Sequence, residues 1–314
     1  MTVAKFRDSA LHIDETIVAQ PPVDPTAGAA PDVGDVVHDR SIGDIIRQTN
    51  SLTADQVEQI LAHQRANNMR FGEAAIALGF ASERDILFAL SQQFHYPYSR
   101  DAASTLSDEV VMASKPFSHQ AESFRVIRSQ LSMRVFNAEG PKSALAVVSP
   151  EPGDGKTYFA ANVAVALSQL GGRTLLVDAD LRGPRQHSVF RVDNSSGLSG
   201  ILAGHTERNV IQQVRDFSSL YVLPVGTIPP NPLELLDRPA FGLLLRDLNN
   251  KFDHVIVDTS AAQYGSDAQI VAAKCGAALL VARKNTSRLA ALHDLLGSLA
   301  CAPIKVAGVV MNEY

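Results

Sequence analysis

The stretch Ser149-Pro150-Glu151-Pro152-Gly153-Asp154-Gly155-Lys156-Thr157 lies between an apolar run, Ala144 to Val148, and a run with the composition of a helix. A turn between a buried strand and a helix leaves backbone N–H groups unpaired, and glycines at 153 and 155 let that backbone close around phosphate oxygens. Lys156 adds a point charge for the outer phosphates, and Thr157 adds a hydroxyl of the kind that such loops offer to Mg²⁺. Pro150 stands where the usual pattern has its first glycine. The expected nucleotide contacts are therefore Pro152, Gly153, Asp154, Gly155, Lys156, Thr157 and Tyr158.

Two acidic strand ends follow downstream. Leu175-Leu176-Val177-Asp178-Ala179-Asp180-Leu181-Arg182 is an apolar strand that ends in two carboxylates and an arginine, and Val255-Ile256-Val257-Asp258 is a second such strand. Ligands of open α/β sheets bind beyond the carboxyl ends of the strands, where these groups fall. Taken singly, Asp178 or Asp180 reads as a cap for the next helix. The coincidence of three strand-end features points instead to one nucleotide site.

Composition bounds the remaining choices. The formal net charge of −5 offers no basic footprint for nucleic acid. The two cysteines, Cys275 and Cys301, sit in apolar stretches, which suits a reducing cytoplasm better than a disulfide-stapled secreted protein. No apolar run approaches the roughly 18 to 20 residues of a membrane-spanning helix, and the start lacks a signal-peptide core. A cytoplasmic protein is expected, peripheral to the inner membrane only through a partner, with no direct insertion.

Along the chain, residues 1–37 are rich in Pro, Asp, Ala and Val without periodicity and read as a flexible tail. Residues 38–99 contain a repeat: Ser41 to Gln64 overlies Arg70 to Gln93 without a gap, pairing Gly43 with Gly72, Leu61 with Leu90 and Gln64 with Gln93. Each copy reads as a short helix, a break at Asn50 or Gly79, and a second helix capped by Thr53 or Ser82. Two hairpins packed on a shared core account for such a repeat without any ligand. Residues 100–116 are polar and read as a linker. From residue 117 to 314, apolar strand-like runs alternate with helical ones, the pattern of a parallel sheet covered by helices on both faces. The expected architecture is thus an α/β P-loop NTPase domain preceded by a small all-helical repeat domain and a disordered tail.

The repeat resembles the N-terminal domain of type II secretion and type IV pilus ATPases, in which paired motifs of this form bind cyclic di-GMP. That resemblance implies a ligand site at Arg40, Gly43, Gln64, Arg70, Gly72 and Gln93. Ser41 occupies the place of the family's first arginine, with Arg40 beside it. An arginine matters there because its planar fork pairs with phosphate and stacks on a base.

Residues from about Phe117 to Tyr314 resemble the ATP-binding domain of the bacterial tyrosine kinases of exopolysaccharide synthesis. The resemblance is carried by the phosphate loop, Val177 to Arg182, Pro230-Asn231-Pro232-Leu233-Glu234-Leu235-Leu236, Asp267-Ala268, Arg283 with Thr286, and Gly308 to Asn312. Glu122, Arg125 and Arg128, which share one helical face, correspond to the family's subunit-association trio; an ordinary solvated charged face is the other reading. The pairing with the helical repeat resembles a soluble subtype that works beside a membrane chain-length determinant, the polysaccharide copolymerase, and implies a homo-oligomer.

By the same resemblance Lys156 stabilises charge on the β and γ phosphates, and Thr157, Asp180 and Asp258 hold Mg²⁺. Asp178 accepts the proton of an incoming tyrosine, and Arg283 and Asn312 meet the base or ribose, with closure of the sheet as the alternative for Asn312. Tyrosine needs such a carboxylate because its pKa is about 10. In place of the family's terminal tyrosine cluster the sequence has Tyr314, the expected phosphoacceptor. Septum-site ATPases of the same superfamily carry a second lysine five residues before the main one, and here that position is Glu151. Two functions follow: a tyrosine autokinase that controls polysaccharide polymerisation, chain length and export, or a nucleotide-gated ATPase scaffold with little protein phosphorylation.

Overall fold

The computed structural model describes residues 42–93, 106–137, 142–205 and 208–313. They fall into two compact units, one helical and one built on a sheet. The tail over residues 1–37, Arg40, the first part of the linker and Tyr314 lie outside the described residues.

The helical unit comprises Ile42–Thr49, Ala54–Asn67, Phe71–Ala77 and Glu83–Gln93. Both anticipated caps are present. The Thr53 side chain accepts the Gln56 N–H while Gln56 Oε1 accepts the Thr53 N–H, and Asp85 Oδ2 accepts the Ser82 N–H at 2.8 Å while Ser82 Oγ accepts the Asp85 N–H. Such boxes satisfy two orphan donors of a helix start at once. The first helix packs on the fourth and the second on the third, around Ile46, Ile60, Ala74, Ala75 and Ala89. A Cβ at Gly72 would come 3.0 Å from Ile86 Cγ2, so packing alone explains this glycine.

The second unit is a seven-stranded sheet with strand order β3-β4-β2-β5-β1-β6-β7. The strands are β1 (Ala144–Val148), β2 (Thr174–Asp178), β3 (Gln212–Gln213), β4 (Leu220–Leu223), β5 (His254–Asp258), β6 (Gly276–Arg283) and β7 (Lys305–Asn312). All pairings are parallel except β3 with β4. Helices cover both faces, so β1 is buried throughout, and its side chains alternate between two cores. This is why the central strands read as unbroken apolar runs. Six of the seven strands coincide with apolar runs of the sequence, Ala144 to Val148, Thr174 to Val177, Tyr221 to Val225, His254 to Val257, Ala278 to Ala282 and Val306 to Met311; the edge strand β3 is two polar residues long and carries no such signal.

One domain boundary differs from the expectation. Residues 106–116, read as linker, belong to the sheet unit: Leu106, Val110, Val111, Met112 and Ala113 are buried in the core beneath the helix Lys156–Ser168. The short apolar run Val110 to Ala113 is masked in a compositional reading by its polar flanks. Asn162, wholly buried on that helix, holds the segment: its Oδ1 accepts the Met112 N–H at 3.1 Å, and its Nδ2 donates to Glu109 O and Tyr158 O, both at 2.9 Å.

Replacing Asn162 by Ala leaves the Met112 N–H without its partner, while Glu109 O keeps the Val111 N–H and Tyr158 O keeps its bond within the helix. We expect a loss of about 2 kcal/mol, since a buried polar group without a partner carries its full desolvation cost. Thermal melting should then fall by roughly 2–4 °C for each kcal/mol in a unit of this size, with faster proteolysis within residues 106–116.

Candidate nucleotide site

The phosphate loop leaves β1 and enters the helix Lys156–Ser168 through Gly155, whose φ is +99°. A Cβ there would displace the Asn312 amide, and the left-handed backbone itself calls for glycine at this point. Ser149 Oγ accepts the Lys156 ammonium at 3.0 Å and donates to Glu151 O at 2.8 Å. Burial lowers the Lys156 pKa, and Asp258, Asp180 and Asp154 oppose that shift. The Asp154 carboxylate and carbonyl brace the loop: the carboxylate accepts the Ser287 hydroxyl at 2.6 Å and the Glu151 N–H at 2.9 Å, while the carbonyl accepts Asn312 Nδ2 at 3.1 Å.

The two acidic strand ends meet. Asp178 and Asp258 are in register at the ends of β2 and β5, and both are wholly buried. Asp178 accepts N–H bonds from Asp180, Arg185 and Gln186 at 3.2, 3.2 and 3.0 Å. Burial, reinforced by Asp258, pushes its pKa well above the carboxylate range. Burial likewise pushes Asp258 up to about 6, against the pull of Lys156 and hydrogen bonds from Thr157 and Gln186. Gln186 Nε2 bridges Asp258 Oδ2 at 2.9 Å and Thr157 O at 3.1 Å. Asp258 Oδ1 is buried without a hydrogen-bond partner.

A cleft of about 700 Å³ opens over these groups, lined by residues that include Pro152, Gly153, Gly155, Lys156, Thr157, Tyr158, Asp180, Arg283 and Asn312. Asp180 presents its carboxylate to the cleft while Oδ1 accepts the Arg182 and Gly183 N–H groups at 3.2 and 3.0 Å. Asp178, read as proton acceptor, lies behind the lining with its oxygens taken by the backbone of residues 180–186. In this arrangement it positions that turn, and Asp180 is the carboxylate that faces the ligand space.

The Glu122, Arg125 and Arg128 trio is on one helix, His119–Leu131, as its spacing implied. Each arginine has contacts within the chain: Arg125 pairs with Glu122 at 2.8 Å and donates to Pro116 O, and Arg128 donates to Ala166 O at 3.1 Å. In the helical unit Gln64 is half-buried and Arg70 exposed.

Several residues of the site escaped the sequence reading. Gln186, the buried first residue of the short helix Gln186–Phe190, follows a polar stretch with nothing to set it apart, and Ser287 lies beyond the Arg283 and Thr286 match. Arg182 and Asp267, both within the matched stretches but given no role there, pair with each other: Arg182 Nε holds buried Asp267 at 2.5 Å. Glu109, from the stretch read as linker, lines the cleft and pairs with Arg185 at 2.7 Å.

Residues 145–314, more than half of the chain, match the family described as the CobQ/CobB/MinD/ParA nucleotide binding domain. The putative tyrosine-protein kinase CapB of Staphylococcus aureus is 33% identical over 210 residues, which cover 67% of this chain and 91% of that protein. This chain belongs to the bacterial tyrosine-kinase family. The tyrosine-protein kinase wzc of Salmonella typhimurium is 31% identical over 222 residues, but the match spans only 31% of its length. The solved kinase domain of the Escherichia coli tyrosine kinase ETK superposes with a TM-score of 0.61 at 33% identity, covering 65% of this chain and 79% of that domain. No helix among the described residues is long and apolar enough to cross a membrane.

Within this family member, Gly155→Ala tests the loop directly. The added methyl meets Asn312 and forces the left-handed backbone onto an L side chain. We expect nucleotide affinity to fall at least about tenfold, or roughly 1.4 kcal/mol, as read by titration with a fluorescent nucleotide.

Proposed function

We propose that this protein is an ATP-dependent protein-tyrosine kinase that uses Mg²⁺. The observation that carries the reading is one cleft that brings together the phosphate-loop Lys156 and Thr157 and the outward-facing carboxylate Asp180. It is supported by the names of the relatives, CapB and wzc, and by the ETK kinase domain.

The donor set suits a hard cation. The Thr157 hydroxyl and the carboxylates of Asp180 and Asp258 supply oxygen, and the unpartnered Asp258 Oδ1 has room in its hydrogen bonding for a metal-bound water. Mg²⁺ keeps several of its waters and takes phosphate oxygens as well. That agrees with the lack, among the described residues, of any His, Cys, Asp and Glu cluster able to hold a metal by itself. When bound, the cation neutralises charge on the bridging phosphate oxygens. The chain's own residues orient the groups. The loop N–H groups and Lys156 would hold the β and γ phosphates, Gln186 fixes Asp258 against Thr157, and Asp180 would accept the proton as the tyrosine oxygen bonds to the γ-phosphorus, the bond from that phosphorus to the β–γ bridging oxygen breaks and ADP leaves. Arg283 and Asn312, on the cleft wall, serve the base or ribose.

The further setting of the enzyme follows the resemblance. It acts as a homo-oligomer beside a membrane chain-length determinant and regulates exopolysaccharide polymerisation and export, with Tyr314 as an acceptor.

Incubation of the purified chain with Mg²⁺ and labelled ATP tests the kinase reading. We expect phosphotyrosine on the protein, reduced at least about a hundredfold in Lys156→Met, the size of effect seen when one preorganised charge-stabilising group is removed, and strongly reduced in Asp180→Asn. Release of free phosphate with no phosphotyrosine would establish the ATPase scaffold instead.

For the helical unit we propose a cyclic di-GMP site at Arg40, Gly43, Gln64, Arg70 and Gln93. Gly72, against Ile86, is accounted for by packing, and Arg70, exposed at the start of the helix Phe71–Ala77, is the cation best supported for phosphate contact. Isothermal titration of the full chain should give binding heat that Arg70→Ala removes without lowering the melting temperature. Absence of heat from the unaltered chain would sink this assignment.

A further inference from the structure

Gln186 is wholly buried and joins three elements of the sheet unit. Its backbone N–H donates to Asp178 Oδ2 at 3.0 Å, at the end of β2. Its side chain crosses to β5 and to the phosphate-loop helix, where Nε2 donates to Asp258 Oδ2 at 2.9 Å and to Thr157 O at 3.1 Å. A carbonyl and an ionised carboxylate accept without donating, so the amide nitrogen is the end that faces them. Oε1 is left buried with no hydrogen-bond partner. An apolar side chain of similar volume would fill the space without that desolvation cost, so the two N–H bonds, and not packing, account for an amide at this position.

The consequence falls on Asp258. With Oδ2 claimed by Gln186, the carboxylate keeps a single oxygen, Oδ1, without a partner. Asp180 is divided in a similar way, since its Oδ1 accepts the Arg182 and Gly183 N–H groups at 3.2 and 3.0 Å. Each carboxylate of the proposed metal edge therefore has one oxygen engaged by the protein. The two differ in what engages it. Asp180 is tied by backbone, whereas Asp258 is tied by a side chain that a substitution can remove. Thr157 also bonds Asp258 through its side chain, but that hydroxyl is itself a candidate metal ligand. Gln186 is the anchor with no such second duty.

Hard cations differ in what they ask of a carboxylate. Mg²⁺ demands near-ideal octahedral geometry and keeps several waters, whereas Ca²⁺ tolerates irregular coordination and takes a carboxylate through both of its oxygens. A pair of carboxylates that each offer one oxygen in a fixed direction suits the first cation better than the second.

We infer that Gln186 is a positioning residue that sets the preference of this site for Mg²⁺ over Ca²⁺. The inference rests on the Mg²⁺-nucleotide reading above and assigns a role in it to a residue that does not meet the cation. By tying Oδ2, Gln186 holds Asp258 in one orientation and keeps it from turning both oxygens toward the cleft. Without the amide donors the carboxylate rotates. Mg²⁺ then loses the preset direction of Oδ1, while Ca²⁺ gains access to a second oxygen.

The test reads binding and not turnover. The full chain, with a fluorescent ADP analogue, is titrated with Mg²⁺ and separately with Ca²⁺. In Gln186→Leu and in Gln186→Met, whose side chain matches glutamine more closely in length, we expect apparent Mg²⁺ affinity to fall at least about tenfold, the size of effect typical when a partner that orients a metal-side group is removed. Ca²⁺ affinity should fall less or rise, so that the Mg²⁺ to Ca²⁺ ratio drops, while affinity for the analogue without either cation stays within about twofold. Melting curves should show the variants folded at the assay temperature. An equal fall for both cations, or a matching fall in cation-free binding, would make Gln186 a purely structural residue and overturn the inference. Unchanged Mg²⁺ affinity in the folded variants would overturn it as well. If Mg²⁺ does not strengthen nucleotide binding by the unaltered protein, the Mg²⁺ reading itself falls and takes the inference with it.

Discussion

Asp178 and Asp258 end adjacent parallel strands in register, both without solvent, and the rest of the site is organised around holding that much negative potential in a buried place. Two carboxylates desolvated side by side disfavour ionisation, which is why both are pushed upward. The compensation is divided. Asp178 takes three backbone N–H groups and so fixes the turn that carries Asp180 and Arg182. Asp258 takes Gln186, Thr157 and the field of Lys156, yet keeps one oxygen unpartnered. An arrangement that leaves a buried acceptor unsatisfied is stable only at a cost, and such costs gather at functional positions. In the proposed kinase the same unpartnered oxygen would face the water shell of a nucleotide-bound cation.

The loop itself is held from the opposite side. Asp154 is bound to Ser287 after β6 and to Asn312 at the end of β7, and Glu151 pairs with Arg288 at 2.7 Å. Glu151 is thus engaged by a cation of its own chain, and because Arg288 is largely exposed the pair adds little stability.

What the sequence revealed and what it hid divide along physical lines. Central strands surrounded by apolar helices must themselves be apolar, so six strands and the three strand-end features could be read directly. Glycines at 153 and 155 were readable because the backbone geometry of a phosphate cradle excludes most side chains. Gln186, Ser287 and Glu109 were not readable, because a neutral or charged side chain in a polar stretch gains its role only from what folding brings opposite it. The distinction between Asp178 and Asp180 was hidden for the same reason: strand alternation puts both at the sheet's edge, but the turn's backbone claims one carboxylate and leaves the other to the cleft. Residues 106–116 misled in the reverse sense, since their composition is polar while four consecutive apolar side chains decide their burial.

That segment also bears on how the cleft is built. Asn162 lies on the phosphate-loop helix, one turn after Tyr158, whose carbonyl it binds while holding Glu109 and Met112. Glu109 in turn reaches Arg185, whose N–H is bonded to Asp178. A continuous set of polar contacts thus runs from the chain's entry into the sheet unit, through the phosphate-loop helix, to the acidic turn. Because each member is tied by directional hydrogen bonds and not by apolar contact alone, a shift of residues 109–112 moves the helix that carries Lys156 and the turn that carries Asp180 together. The entry segment is therefore part of the mechanical frame of the cleft, and a truncation placed at residue 117, where the sequence suggested the domain begins, would remove one wall of the site it was meant to isolate.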